Sequence, residues 1–348
     1  LNNPRQQLTH RDAYQRVLDI VDSHTCGQPT RVILAGHGIE AGMSPLLARE
    51  ALRDERDWVR TVSVMEPRGH RSMFSVALIH PARPDGEFGV VFMDAAAYPD
   101  MCGHATIGTA TTLLELGLVQ APTRDFTGMF EFGLQTPAGR VPLRARLEAG
   151  RCKSVAFVFE GAYFLKTVDL DLPDIGIVAV DLAYAGQWYA FLPVSAARST
   201  IDVARIEELI AAASVVRKAL AERLTDSNPD EQAAPVIGNI VWTAAPSHPQ
   251  AQHRNVPISA AGSFDRSPCG TATCARMATL VAKGELGLGE RFVNEGLVGT
   301  VYYGVARPGT SRTGQRTIVA EVEGSAWITA IGTLLVDPGD PLGNGYLA

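Results

Sequence analysis

The 348-residue chain contains no apolar run approaching the ~18 uncharged residues that span a bilayer, so no membrane partner is expected. Its opening stretch, LNNPRQQLTHRDAYQR, is polar rather than signal-like. It starts at Leu1 instead of Met, and the true start is expected to have been processed, trimmed or engineered. No block of Lys and Arg breaks the interspersed charges, 31 basic against 37 acidic, and nothing would track a phosphate backbone. Nucleic acid is thereby excluded as a partner. Cysteine is sparse: five residues, an odd number, widely spread in a chain too long to need covalent staples. That usage implies reduced thiols and a cytoplasmic setting. The lysines lie in no motif resembling a cofactor-binding lysine, and no cofactor is expected.

What is present is ordinary globular material, 46% hydrophobic and 20% charged, enough for two domains or one large one. Short runs rich in Val, Ile and Phe predict strands at Val17–Val21, Arg31–Leu34, Met73–Ile79 and Gly89–Met93, with a turn at His24–Pro29. Further strands are expected at Gly139–Leu147, Ser154–Phe159, Gly176–Ala183, Ile237–Trp242, Arg291–Val293, Thr300–Val305, Thr317–Val322 and Ala326–Val336. Ser44-Pro45 reads as an N-cap followed by proline in the first helical position, opening a helix to about Arg53. A longer helix is predicted over Ile201–Leu224. Many short strands with few helices argue for α+β with antiparallel or mixed sheets. Val168–Pro173, where Asp and Pro cluster, is the candidate crossover between halves.

One segment occurs twice. Residues 102–117, CGHATIGTATTLLELG, align without a gap on residues 269–284, CGTATCARMATLVAKG. Each follows turn residues and ends at a glycine suited to a left-handed cap. Two similar half-domains would then bring two helix starts to one cleft, each start carrying a cysteine, Cys102 and Cys269.

A helix N-terminus carries roughly +0.5 of an elementary charge and amides without intrahelical partners. A cysteine there is expected to have its thiolate stabilised and its pKa lowered. Gly103 and Gly270 leave the backbone open to a ligand carboxylate. One sulfur on each side of an α-carbon suits inversion, in which one base removes a proton and its counterpart returns another to the opposite face. His104, two residues beyond Cys102, has a helical spacing that points the two side chains apart. Cys274 falls elsewhere on the helix face and reads as core. Cys26 and Cys152 read as structural, and His24, Arg68 and His70 as braces of turns.

The motifs Met101-Cys102-Gly103-His104-Ala105-Thr106-Ile107-Gly108 and Asp265-Arg266-Ser267-Pro268-Cys269-Gly270-Thr271 resemble the two catalytic motifs of the proline racemase family. Asp22–Thr25, Glu66–His70, Asp181–Tyr184, Asn294-Glu295 and Asp340–Leu342 are similar to that family as well, so the resemblance covers nearly the whole chain. It implies two pseudo-symmetric α/β halves, each a sheet wrapped round a central helix, as in diaminopimelate epimerase. The halves are expected to be residues 14–168 with 325–348, carrying Cys102, and 169–324, carrying Cys269. The resemblance also implies Cys102 and Cys269 as the acid/base pair. Backbone amides of Gly103, His104, Gly270 and Thr271 would hold the carboxylate, with His104 and Asp265 on the ring amine. Dehydratases of the family carry Thr where this chain has Cys269, which argues for inversion.

The implied substrate is a cyclic imino acid, with epimerisation of 4-hydroxyproline at C2 first, proline racemisation next, and 3-hydroxyproline chemistry after that. Ser259 could supply a polar wall for a ring hydroxyl. A homodimer is an assembly the chain could form. Three other classes compete: a metal or redox protein using Cys102, His104, Cys269 and Cys274, a thiol hydrolase with a distant histidine, and a non-catalytic amino-acid binder. Zinc sites usually pair two close-spaced cysteine motifs, and no second pair accompanies Cys269 and Cys274.

Overall fold

Alternating burial along Arg16–Thr25 (β1) and Gln28–Ala35 (β2) makes them an antiparallel hairpin. The turn between them, Cys26-Gly27, has both residues at positive φ (48° and 100°), the geometry that right-twisted strands require of a two-residue loop. The computed structural model describes residues 13–173, 175–226, 235–310 and 315–347. The chain divides into two compact units, one running to Val155 and resuming at Ser325, the other spanning Ala156–Gly324.

In the first unit, β1 and β2 are joined by β3 (Ser75–Ile79), β4 (Gly89–Met93), β5 (Gly128–Thr136), β6 (Gly139–Glu148) and β15 (Ala326–Val336). Their order is β6-β5-β4-β3-β2-β1-β15. Starting at β15, successive pairings are antiparallel, antiparallel, parallel, antiparallel, parallel, antiparallel. Between β2 and β3 lie α1 (Pro45–Glu55), capped by Ser44 as expected, and α2 (Trp58–Val64). Ala48, Leu52, Val59 and Val62 from these helices bury against Leu18, Ile20, Ile33, Ala77 and Val91 of the sheet. Helix α3 (Gly103–Glu115) follows β4 and is buried from Gly103 to Leu114 against β1, β2 and β15.

The second unit holds β7 (Arg151–Leu172, which begins at the end of the first), β8 (Gly176–Tyr184), β9 (Trp188–Pro193), β10 (Ile237–Ala244), β11 (His253–Ser259), β12 (Arg291–Glu295), β13 (Val301–Pro308) and β14 (Ile318–Gly324). From β7 the pairings again run antiparallel, antiparallel, parallel, antiparallel, parallel, antiparallel. β14 pairs with both β13 and β7, which closes the strand order on itself. Helix α5 (Gly270–Lys283) follows β11, as α3 follows β4, and packs on β8, β9, β13 and β14. Helix α4 (Ile206–Asp226) sets Leu209, Ala213, Val216, Leu220 and Leu224 in one buried stripe against Ile240, Trp242 and Val256. Each such leucine contributes about 1.5–3 kcal/mol.

Three expectations need correction. Val168–Pro173 is no crossover: residues up to Leu172 continue β7, paired to β8, with Val168, Leu170 and Leu172 buried. The long helix starts at Ile206, because Asp202 caps a separate 3₁₀ turn, Val203–Arg205, by accepting from the Ala204 amide. Strands β5, β9 and β11 and helix α2 are additional elements. Trp58–Val64 is rich in β-branched residues that favour strands, and tertiary packing overrides that preference.

Small residues let the central helix sit close to the sheet. A Cβ on Gly108 would stand 3.1 Å from Ser23 Oγ and from Thr25 Oγ1, and 3.2 Å from Thr30 Oγ1. One buried threonine in each central helix satisfies its hydroxyl on the preceding turn: Thr112 donates to the Gly108 carbonyl (2.8 Å) and Thr279 to that of Ala275 (3.0 Å).

Candidate active site

The residues singled out from the sequence gather at two helix starts, one in each unit. In the first, Cys102 is the N-cap of α3, in extended conformation (φ −145°). The first intrahelical bond runs from the Thr106 amide to the Cys102 carbonyl, and the amides of Gly103 and His104 lie ahead of it. Cys102 Sγ lies 3.2 Å from His104 Nδ1, so the two side chains meet. The helical-spacing argument does not hold because Cys102 stands outside the helix. Thr25 donates to the His104 carbonyl (2.8 Å), and Phe74 meets the imidazole edge-on at 4.9 Å. Only 5% of His104 is exposed, and burial holds its pKa down at about 3, leaving a neutral ring.

In the second unit Cys269 is the N-cap of α5, at φ +62° and ψ 117°. A residue with a side chain at such an angle is costly, about 1–3 kcal/mol, and is held there by its surroundings. Those surroundings are explicit. Ser267 Oγ accepts from the Cys269 amide (3.1 Å), and Asp265 Oδ1 accepts from the Ser267 amide (2.8 Å). Asn255 Nδ2 donates to the Pro268 carbonyl (3.0 Å), while Asn294 Nδ2 reaches Asn255 Oδ1 and Thr273 Oγ1. The loop also rests on Gly296, where a Cβ would fall 2.6 Å from the Ser267 carbonyl carbon. Glu295 is wholly buried and accepts from the Ser247 and His248 amides.

Thr271 Oγ1 lies 3.9 Å from Cys269 Sγ, so in both units the side chain two places after the cysteine turns back toward the sulfur. The Cys269 thiol is pushed up to about 12, by burial first and by the Asp265 carboxylate second. This reverses the lowered value expected of a helix start: in the ligand-free site, loss of hydration outweighs the helix-end field. Asp265 is itself raised to about 6 by burial, opposed by its bonds to Ser267.

Asn255, Thr273 and Tyr189 had no separate signal in the sequence. Cys274 is fully buried, as expected of core. Cys26 bonds weakly to the Ser325 carbonyl and Cys152 approaches Thr111 (3.7 Å), local contacts consistent with structural thiols. His24 accepts from the Gly27 amide and His70 from that of Ser72, which is turn bracing. Ser259 is tied to Ser263 across a turn, Oγ to Oγ at 2.6 Å. Among the described residues no group of three or more His, Cys, Asp and Glu side chains is placed to hold a metal ion. No described helix is long and apolar enough to cross a membrane.

The fold is one already seen in solved structures. It matches the crystal structure of a hydroxyproline epimerase from Agrobacterium vitis with bound trans-4-hydroxy-L-proline, at a TM-score of 0.81 and 23% identity, covering 97% of this chain and 96% of that one. Sequence narrows this further: residues 20–347 match the proline racemase family, and the chain belongs to it. A 4-hydroxyproline 2-epimerase of Streptosporangium roseum is 37% identical over 342 residues, spanning 96% of this chain and 99% of that protein. A proline racemase of Clostridioides difficile is 34% identical over 335 residues, again with 96% and 99% covered.

Proposed function

We propose that the protein is a cofactor-independent epimerase that inverts C2 of a cyclic imino acid, converting trans-4-hydroxy-L-proline to cis-4-hydroxy-D-proline. Cys102 and Cys269 are the two bases: one sulfur takes the α-proton as thiolate while the other, as thiol, protonates the opposite face. The observation that carries this reading is that both central helices open on a cysteine, each in the same place in the order of strand pairings. That common order also supports reading the two units as pseudo-symmetric halves.

The amides of Gly103, His104, Gly270 and Thr271 would hold the carboxylate, since helix-start N–H groups and the helix-end charge favour an anion and its enolate-like transition state. Asp265 and His104 would face the ring amine. A cationic amine beside Asp265 neutralises the carboxylate that raises Cys269, so substrate binding itself brings that thiol back toward a working range. The names of the 37%-identical and 34%-identical relatives support 4-hydroxyproline and proline respectively, and the Ser259–Ser263 hydroxyl pair adds polar character suited to a ring hydroxyl. Five free cysteines suit a reducing, cytoplasmic setting.

The test is proton NMR in D₂O on trans-4-hydroxy-L-proline and L-proline, with Cys102→Ser and Cys269→Ser beside the wild type. Loss of the α-proton signal with appearance of the C2 epimer, absent in both variants, supports the two-cysteine epimerase. Faster turnover of proline reverses the substrate preference, and no exchange on either compound leaves a binding protein.

A further inference from the structure

A chain of hydrogen bonds ends on the Cys269 sulfur. Gln187, at the turn from β8 to β9, donates from Nε2 to the Tyr189 hydroxyl at 2.9 Å. Tyr189 is wholly buried, and its hydroxyl lies 2.5 Å from Thr271 Oγ1. Thr271 Oγ1 is the group 3.9 Å from Cys269 Sγ.

The direction of the first bond is fixed, because a carboxamide nitrogen has protons and no lone pair to offer. The Tyr189 oxygen accepts there, and its own proton, inside a buried ring that burial keeps un-ionised, is satisfied on Thr271. With an incoming proton on its oxygen, the Thr271 hydroxyl turns its single hydrogen toward the sulfur. The fold leaves room for this arrangement: a Cβ on Gly238 would stand 2.3 Å from Gln187 Oε1. Burial and the Asp265 carboxylate raise the Cys269 thiol, while the Ala272 backbone amide and then the Thr271 hydroxyl lower it, and Thr271 is the side chain that favours ionisation.

We propose that Gln187, Tyr189 and Thr271 form a one-way donor chain that aims the Thr271 hydroxyl at Cys269 and stabilises its thiolate, with Tyr189 as a positioning residue. The inference rests on Cys269 acting as a base, and it gives the two sulfurs unlike partners: a neutral imidazole beside Cys102 and a pre-aligned hydroxyl beside Cys269.

The measurement is the rate at which iodoacetamide alkylates Cys269 in the full-length ligand-free protein, resolved by peptide mass spectrometry at a fixed pH below the thiol's titration. Wild type, Tyr189→Phe, Thr271→Val and Thr271→Ser are compared, with circular dichroism confirming that each is folded. One hydrogen bond to an ionised group is worth roughly tenfold or more in thiolate fraction, partly offset by the greater nucleophilicity of a more basic sulfur. Tyr189→Phe and Thr271→Val are therefore expected to react roughly threefold to tenfold more slowly, while Thr271→Ser keeps the wild-type rate. Equal rates in all four overturn the donor chain. If Tyr189→Phe does not fold, the Thr271→Val and Thr271→Ser pair decides alone. Alkylation needs no turnover, so absence of α-proton exchange would count against the epimerase reading while leaving this comparison intact.

Discussion

His104 Nδ1 lies 3.2 Å from Cys102 Sγ although only one residue separates them in the chain. The contact exists because Cys102 is extended at the cap while His104 is already helical, and because the imidazole is packed edge-on to Phe74. A ring so enclosed is neutral through the physiological range. It can share a proton with the sulfur but contributes no fixed positive charge to it.

Burial of that ring has a consequence for acid stability. Between the ordinary histidine value of 6.5 and about 3, the unfolded chain binds a proton that folded His104 refuses. Stability is therefore lost as pH is lowered through that window, by up to about 1.4 kcal/mol per unit. Asp265 acts in the opposite sense: between 3.8 and about 6 the folded chain keeps a proton that the unfolded chain releases, so its contribution is lost as pH rises. His104→Asn should gain stability relative to wild type on acidification, and Asp265→Asn should lose it. Urea unfolding at several pH values from about 4 to 7 measures both; curves parallel to wild type would refute the assignment.

Asp265→Asn should also separate thiol reactivity from turnover. Removing the carboxylate removes the second cause of the raised Cys269 thiol, so ligand-free Cys269 should alkylate faster than in wild type. The same change deletes the partner proposed for the ring amine, and kcat/KM should drop by about tenfold or more. A variant that is slower in both assays would show that Asp265 acts on Cys269 in some other way.

The elements that could be foreseen are those whose signals are local. Gly89–Met93 and Ala326–Val336 agree with the apolar runs to the residue, and Ser44-Pro45 announced its own helix. The cysteine-led repeat located both central helices, since cap, small residues and terminal glycine all lie within sixteen positions. The strand His253–Ser259 was not legible: it contains Pro257, and its strand character comes from pairing with β10 and β12. Nor could the sequence disclose that Asn255 and Asn294, 39 positions apart, hold the Pro268 carbonyl together. The Cys269 thiol moves opposite to the helix-end argument because burial, which only the folded chain creates, raises it together with the Asp265 carboxylate.

Gly296 and Gly108 offer a matched comparison of close approach. At Gly296 an added Cβ meets the backbone of Ser267 and Pro268 at 2.6 and 2.7 Å, atoms that cannot move without moving Cys269. At Gly108 it meets hydroxyl oxygens at 3.1 to 3.2 Å, which can give way slightly. Gly296→Ala should cost about 1–3 kcal/mol and reduce turnover by a larger factor than the lost stability explains, whereas Gly108→Ala should cost less and change turnover little. Thermal unfolding and steady-state rates on both variants check this. Unchanged kinetics in Gly296→Ala would mean that the loop adjusts without displacing the sulfur.

The φ of +62° at Cys269 can be tested apart from its chemistry. At a helix N-cap glycine is preferred to alanine, and that preference acts equally at Cys102 and Cys269. Only Cys269 has the positive φ, where a Cβ is strained and glycine is not. Replacing each cysteine by Ala and by Gly gives four proteins whose stabilities are compared in pairs. The gain of Gly over Ala should exceed that at position 102 by about 1 kcal/mol at position 269. Chemical denaturation measures the difference, and the subtraction removes both the cap preference and the entropy of glycine in the unfolded chain. Equal gains at the two positions would show that the loop relaxes to an ordinary φ once the sulfur is gone, so that the thiol itself sustains the strain.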